Sequence, residues 1–126
     1  MFKLLVKWYT ENRKWHQEHK QSWNGMDVGN NGNLSCFQEL CESRLLAELE
    51  KINVKIRNRE VCGSDEIYIT GLLGNTELRY YIYNDGAEID DISFEKWDYI
   101  NPDELCDAFV SAVVARVIPM REKSKI

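Results

Sequence analysis

Apolar residues recur at two different intervals along this chain, and the change of interval separates helical from extended segments. From about Phe2 to Trp23, Leu4, Trp8 and Trp15 fall near one face of a helix with Leu5 and Tyr9 beside it. Glu11, Arg13, Lys14, Glu18 and Lys20 fill the intervening positions and would face water, and Asn24-Gly25 is a stop signal. Residues 24–35 hold Gly25, Gly29, Gly32 and four asparagines, the composition of a loop. From Ser35 to Ile52 the helical interval returns in Phe37, Leu40, Cys41, Leu45, Leu49 and Ile52. Ser35 is placed to cap that helix, with Glu39 near its first turn. The run 43–49 also fits a strand, so residues 36–52 are read as helix with that alternative open.

The middle of the chain switches to period two. Val54 and Ile56 alternate with Lys55 and Arg57, Ile67 and Ile69 with Tyr68 and Thr70, and Leu78, Tyr80 and Ile82 with Arg79, Tyr81 and Tyr83. Each run offers one buried and one wetter face. Gly74-Asn75 and Asp85-Gly86 separate the runs and are hairpin signals, the second the stronger because Asp and Gly accept the positive φ of a tight turn. A last strand is expected through Ala87, Ile89, Ile92 and Phe94, and its change of phase at Asp90-Asp91 predicts a bulge or bend.

A final helix has clear boundaries. Asn101 is a cap, Pro102 suits the first helical position, and Asp103 and Glu104 complement the positive helix end. Leu105, Phe109, Val113 and Val117 form its stripe, Pro119 is expected to end it, and residues 119–126 read as a tail. The prediction is one α+β domain over residues 1–126: helix 1–23, loop 24–35, helix 36–52, about four antiparallel strands over 53–97, and helix 101–118. The N-terminal and C-terminal helices pack on the sheet.

Composition narrows the function. At 126 residues the chain buries roughly two-thirds of its unfolded surface, so a fold of this size needs no metal or disulfide. Hydrophobic residues make up 44% and charged residues 29%, which argues for a globular domain rather than a disordered one. The net charge of −5 and pI of about 5.1 disfavour nucleic-acid and membrane-surface binding, which need a positive field, and favour a basic protein partner. The apolar start breaks at Lys7 with no small-residue cleavage site, so a cytoplasmic location is expected. In that compartment the four cysteines, Cys36, Cys41, Cys62 and Cys106, are expected as free thiols.

The chemical motifs are few. His16 and His19 are spaced to share a metal on a helix, but Cys36 and Cys41, the nominal further ligands, diverge by roughly 140° around a helix. The preferred reading is two exposed histidines, with Cys41 and Cys106 as small hydrophobes rather than nucleophiles. Gly25, Gly29 and Gly32 match no phosphate-binding loop. The unusual feature is nine acids between Asp85 and Asp107, opposed within that span only by Lys96 and interleaved with Trp97 and Tyr99, with Tyr81 and Tyr83 just before it. Acids for steering and aromatics for anchoring suit a binder of a basic surface, while a solvated acidic face of an acidic protein, and carboxylates that hold a hard cation or do acid-base work, stay open as readings.

The stretch Leu78–Val114 adds a resemblance. Its Leu-Arg-Tyr-Tyr-Ile-Tyr-Asn-Asp-Gly-Ala-Glu-Ile, Phe-Glu-Lys-Trp-Asp-Tyr and Asn-Pro-Asp-Glu-Leu-Cys-Asp-Ala-Phe runs, with the N-terminal Trp8-Tyr9 pair, resemble small bacterial immunity proteins of contact-dependent inhibition and polymorphic toxin systems. The resemblance covers about a third of the chain. It implies a non-enzymatic inhibitor without cofactor or metal that binds a cognate toxin domain, a nuclease with a basic cleft. The residues expected at that contact are Tyr83, Asp85, Glu88, Asp90, Asp91, Glu95, Trp97 and Asp98. Two other readings stay open: an adaptor acting through a homo- or hetero-oligomeric interface, and a small metal-dependent enzyme using His16, His19 and carboxylates.

Overall fold

In the computed structural model, residues 23, 25–27, 33–63 and 66–123 are described, with side chains of residues 120–123 excepted. The expected N-terminal helix, His16, His19, Gly29 and Gly32 lie outside the described residues. The described chain is an α+β domain. Helix α1 (Cys36–Lys51) leads into β1 (Ile56–Cys62), β2 (Tyr68–Leu73), β3 (Arg79–Ile82), β4 (Gly86–Ile89) and β5 (Ile92–Glu95). A 3₁₀ turn (Lys96–Asp98) and helix α2 (Pro102–Lys123) complete it. The strands form one antiparallel sheet in the order β1-β2-β3-β4-β5, each paired with its neighbour in the chain. No helix among the described residues is long and apolar enough to cross a membrane.

Residues 36–51 resolve to helix, and a polar residue explains the start. Ser35 Oγ accepts from Gln38 N while Gln38 Oε1 accepts from Ser35 N, a reciprocal capping box. Gln38 is fully buried, and its Nε2 donates to the carbonyls of Ile67 (2.6 Å) and Ile82 (3.2 Å), tying the first turn of α1 to the sheet. At the other end, Asn53 takes a positive φ of 57° and turns the chain towards β1.

The stripes meet in one core. Phe37, Cys41, Leu45 and Leu49 of α1 and Leu105, Phe109, Val113 and Val117 of α2 pack with Ile69, Tyr80, Ile82 and Ile89 of the sheet. Both helices therefore cover the same sheet face. Trp23 joins this core, 5.2 Å from the Phe37 ring.

Three local expectations need correction. The sheet has five strands rather than about four, because Asp90-Asp91 is a two-residue hairpin turn and not a bulge within one strand. Ile89 and Ile92 sit opposite each other across it, which is why the apolar phase changes there. Asp90 supplies the turn's positive φ, 55°. At the β3–β4 turn the central residues are Asn84-Asp85, and Gly86 does not adopt positive φ; Tyr83 N donates to Gly86 O. Glycine is needed there for space, since a Cβ at Gly86 would stand 2.5 Å from the Phe94 carbonyl oxygen. Finally, Pro119 lies inside α2 instead of ending it. Pro119 and Ala115, whose carbonyl loses its donor, are both exposed, so water can take the place of the missing N–H.

Candidate protein-binding site

Antiparallel pairing fixes which side chains share the sheet face turned away from the helices. Thr70, Tyr81, Glu88 and Ser93 stand opposite one another across β2 to β5, and Gly86 stands opposite Glu95. Tyr68, Tyr81 and Tyr83 fall on this same face. Their rings form a cluster, with Tyr81 and Tyr83 stacked at 6.1 Å and Tyr68 tilted 5.7 Å from Tyr83. Among the described residues neither helix packs over this surface.

The nine acids separate into two groups once cations from elsewhere in the fold are included. Arg116 of α2 reaches back to the β4–β5 turn, with Nη1 2.5 Å from Asp90 Oδ2 and Nη2 3.1 Å from Asp91 Oδ1. Asp90 and Asp91, expected within the last strand, are instead turn residues that converge on one guanidinium. Arg44 of α1 likewise pairs with Asp103 and Asp107. Glu104 accepts from Ile100 N at the start of α2. Asp85, Glu88, Glu95 and Asp98 carry no ion pair among the described residues. Lys96, the cation inside the acidic span, turns away to Asp27 (2.5 Å) and lies 5.8 Å over the Trp23 ring. It holds the 3₁₀ turn to the 25–27 segment rather than neutralising the strand acids.

Three of these acids line a 260 Å³ cavity on the face that neither described helix covers. Asp85 and Tyr83 come from the β3–β4 turn, Glu88 from β4, Glu95 from β5, and Trp97 from the 3₁₀ turn. Two carboxylates are oriented by aromatic donors: Tyr83 Oη donates to Glu88 Oε2 (3.2 Å) and Trp97 Nε1 to Glu95 Oε2 (2.8 Å). Burial, reinforced by the adjacent Glu88 carboxylate, pushes the Tyr83 phenol up to about 12, so it stays a donor at neutral pH. Trp97 is 56% exposed, the most open of the large apolar side chains described.

The structure thus brings Tyr83, Asp85, Glu88, Glu95 and Trp97 together. It sets Asp98 on the neighbouring 3₁₀ turn and leaves Asp90 and Asp91 at the far end of the β4–β5 hairpin. That distance is about 13 Å for four residues of strand. Tyr68, Gly86 and Ser93 belong to the same surface and are not among the contact residues expected from the sequence, where Gly86 is a turn glycine only. The available signal was the alternation that places Tyr68 on the wetter face, but aligning it with Tyr83 needs the β2–β3 register.

Cys41 and Cys106 are fully buried, and the Cys41 thiol is raised well above its ordinary value by its hydrogen bond with Cys106 and then by burial, the opposite of an activated nucleophile. Cys36 is exposed while Cys41 is buried, so these two thiols do not converge. Among the described residues no group of three or more His, Cys, Asp or Glu side chains is placed to hold a metal ion.

Compared with known proteins, the chain matches no family model, no curated protein and no solved structure.

Proposed function

We propose that the chain is an inhibitor of immunity type, which binds a cognate toxin domain of nuclease type and occludes its basic active-site face. The observation that carries this reading is the segregation of charge. Among the described residues Asp85, Glu88, Glu95 and Asp98 lack cations, whereas Asp90, Asp91, Asp103 and Asp107 have them. The uncompensated acids adjoin Tyr68, Tyr81, Tyr83 and an exposed Trp97. A negative field with rigid aromatic anchors suits a cationic protein surface, speeding encounter through the acids and holding the complex through the rings. The Leu78–Val114 resemblance to immunity proteins supports the same reading. In this reading Asp90 and Asp91 contribute least to contact, because Arg116 already occupies them.

The test is titration of the purified chain against the toxin domain encoded beside it, at low and high salt. One-to-one binding that blocks toxicity, with an association rate falling as salt rises, is the expected result. Glu88→Lys with Glu95→Lys should abolish protection, while Asp90→Lys with Asp91→Lys should weaken it far less. Failure to bind that domain would overturn the reading, and full protection by the Glu88→Lys/Glu95→Lys variant would remove this face from the contact.

A further inference from the structure

The cavity beside Trp97 has a geometry that specifies more than negative charge. Glu88 pairs with Ser93 and Gly86 with Glu95, so the two glutamates stand diagonally across β4 and β5 with two small residues on the other diagonal. Diagonal neighbours in an antiparallel pair are about 7–8 Å apart. Gly86 contributes no side chain and Ser93 a short one, which leaves the gap between the carboxylates open. At 260 Å³ it falls below the roughly 300–1,000 Å³ that encloses a drug-sized ligand, and it has the scale of a single side chain.

We propose that this cavity receives one arginine side chain of the partner, an inference that rests on the protein-binding reading above. A guanidinium is planar and carries donors along more than one edge, so it can face Glu88 and Glu95 at once. A lysine ammonium is a compact point charge that sits against one carboxylate and leaves the other unpaired. Tyr83 and Trp97 each occupy one lone pair of a glutamate, and no other described side chain takes the remaining acceptor sites, which can meet the incoming donors. The exposed Trp97 indole at the rim offers a π face to the same cation. Asp85, Glu88 and Glu95 are not placed to converge on a metal ion, which favours an extended organic cation over a spherical one.

The proposal can be tested without the partner. The uniformly ¹⁵N-labelled full chain is titrated with N-acetyl-arginine amide, with N-acetyl-lysine amide, and with sodium chloride at matched ionic strength. The Trp97 indole N–H signal, assigned through Trp97→Phe, and the amides of residues 83–97 are followed. The expected result is a saturable shift confined to this region, about tenfold weaker with the lysine compound and lost in Glu88→Gln/Glu95→Gln. The spectrum of that variant elsewhere reports whether it is folded. Equal shifts with the three titrants, or saturation unchanged in the folded double variant, would overturn the arginine assignment. The two readings fail separately. A toxin domain bound with undiminished affinity by Glu88→Gln/Glu95→Gln would remove the arginine site and keep the inhibitor. Saturable arginine binding with no affinity for the toxin domain would keep the site and remove that partner.

Discussion

Tyr80 and Tyr81 are consecutive residues of β3 with the same side chain and opposite surroundings. Tyr80 is 0% exposed within the core beneath the helices. Tyr81 stacks on Tyr83 on the face that neither described helix covers. The only difference between them is parity along the strand. One parity places Ile82, Ala87, Ile89 and Phe94 against α1 and α2, and the other collects Tyr81, Tyr83, Glu88 and Glu95 at the surface. Core packing and the aromatic-acidic surface therefore fall to alternate residues of the same strands.

Substitutions on the two faces should separate those roles. The largest effect is expected from Phe109→Ala, which empties the α2 position packed edge-on against Phe94 at 6.0 Å. Chemical denaturation should show a loss of about 3–5 kcal/mol, and a loss under 1 kcal/mol would mean that the covered face is not the core.

Alkaline unfolding comes next. Tyr83 has a folded pKa of about 12, above its ordinary value of about 10. The fold favours the neutral phenol, so its contribution is complete below pH 10 and is lost as pH rises from 10 through 12. Unfolding free energy should fall over that window, and less steeply in Tyr83→Phe; identical slopes would show that burial of the Tyr83 phenol beside Glu88 does not favour its neutral form.

Arg116→Ala removes two ion pairs whose acids remain half or more exposed. Its cost should be within about 1 kcal/mol and should shrink with added salt. The smallest effect is expected for Glu88→Gln/Glu95→Gln, with a change in stability within about 0.5 kcal/mol even though partner binding suffers. A larger destabilisation would make those glutamates part of the scaffold.

Much of this division was legible in the residue pattern. The α2 stripe and its Asn101-Pro102 start needed only local signals: Asn101 Oδ1 accepts from Glu104 N at 3.0 Å, and Leu105, Phe109, Val113 and Val117 are buried. The alternation also identified Tyr80 and Ile82 as core and Tyr81 and Tyr83 as the other face. What escaped depends on partners distant in the chain. The Arg116 pairs that neutralise Asp90 and Asp91 come from the end of α2, and Lys96 is drawn to Asp27 by the packing of the 25–27 segment. Charge counted along the chain treats all nine acids as equivalent, whereas the folded arrangement divides them. Along the chain the Asp90-Asp91 turn has the pattern of a bulge or bend, because two four-residue strands joined by two residues resemble one interrupted strand. Burial of Gln38 had a local trace in the Ser35-x-x-Gln38 capping box, but its bonds to Ile67 and Ile82 required the sheet.

Because every strand hydrogen-bonds to the strand next to it in the chain, the sheet can assemble by successive short loop closures. Each closure brings together residues only a few positions apart, which keeps its entropic cost low. The contact of α1 with α2 is different, since the whole sheet intervenes between them in the chain. Docking of the two helices is a long-range event of folding, and it is that event which covers one parity of the described strands and not the other.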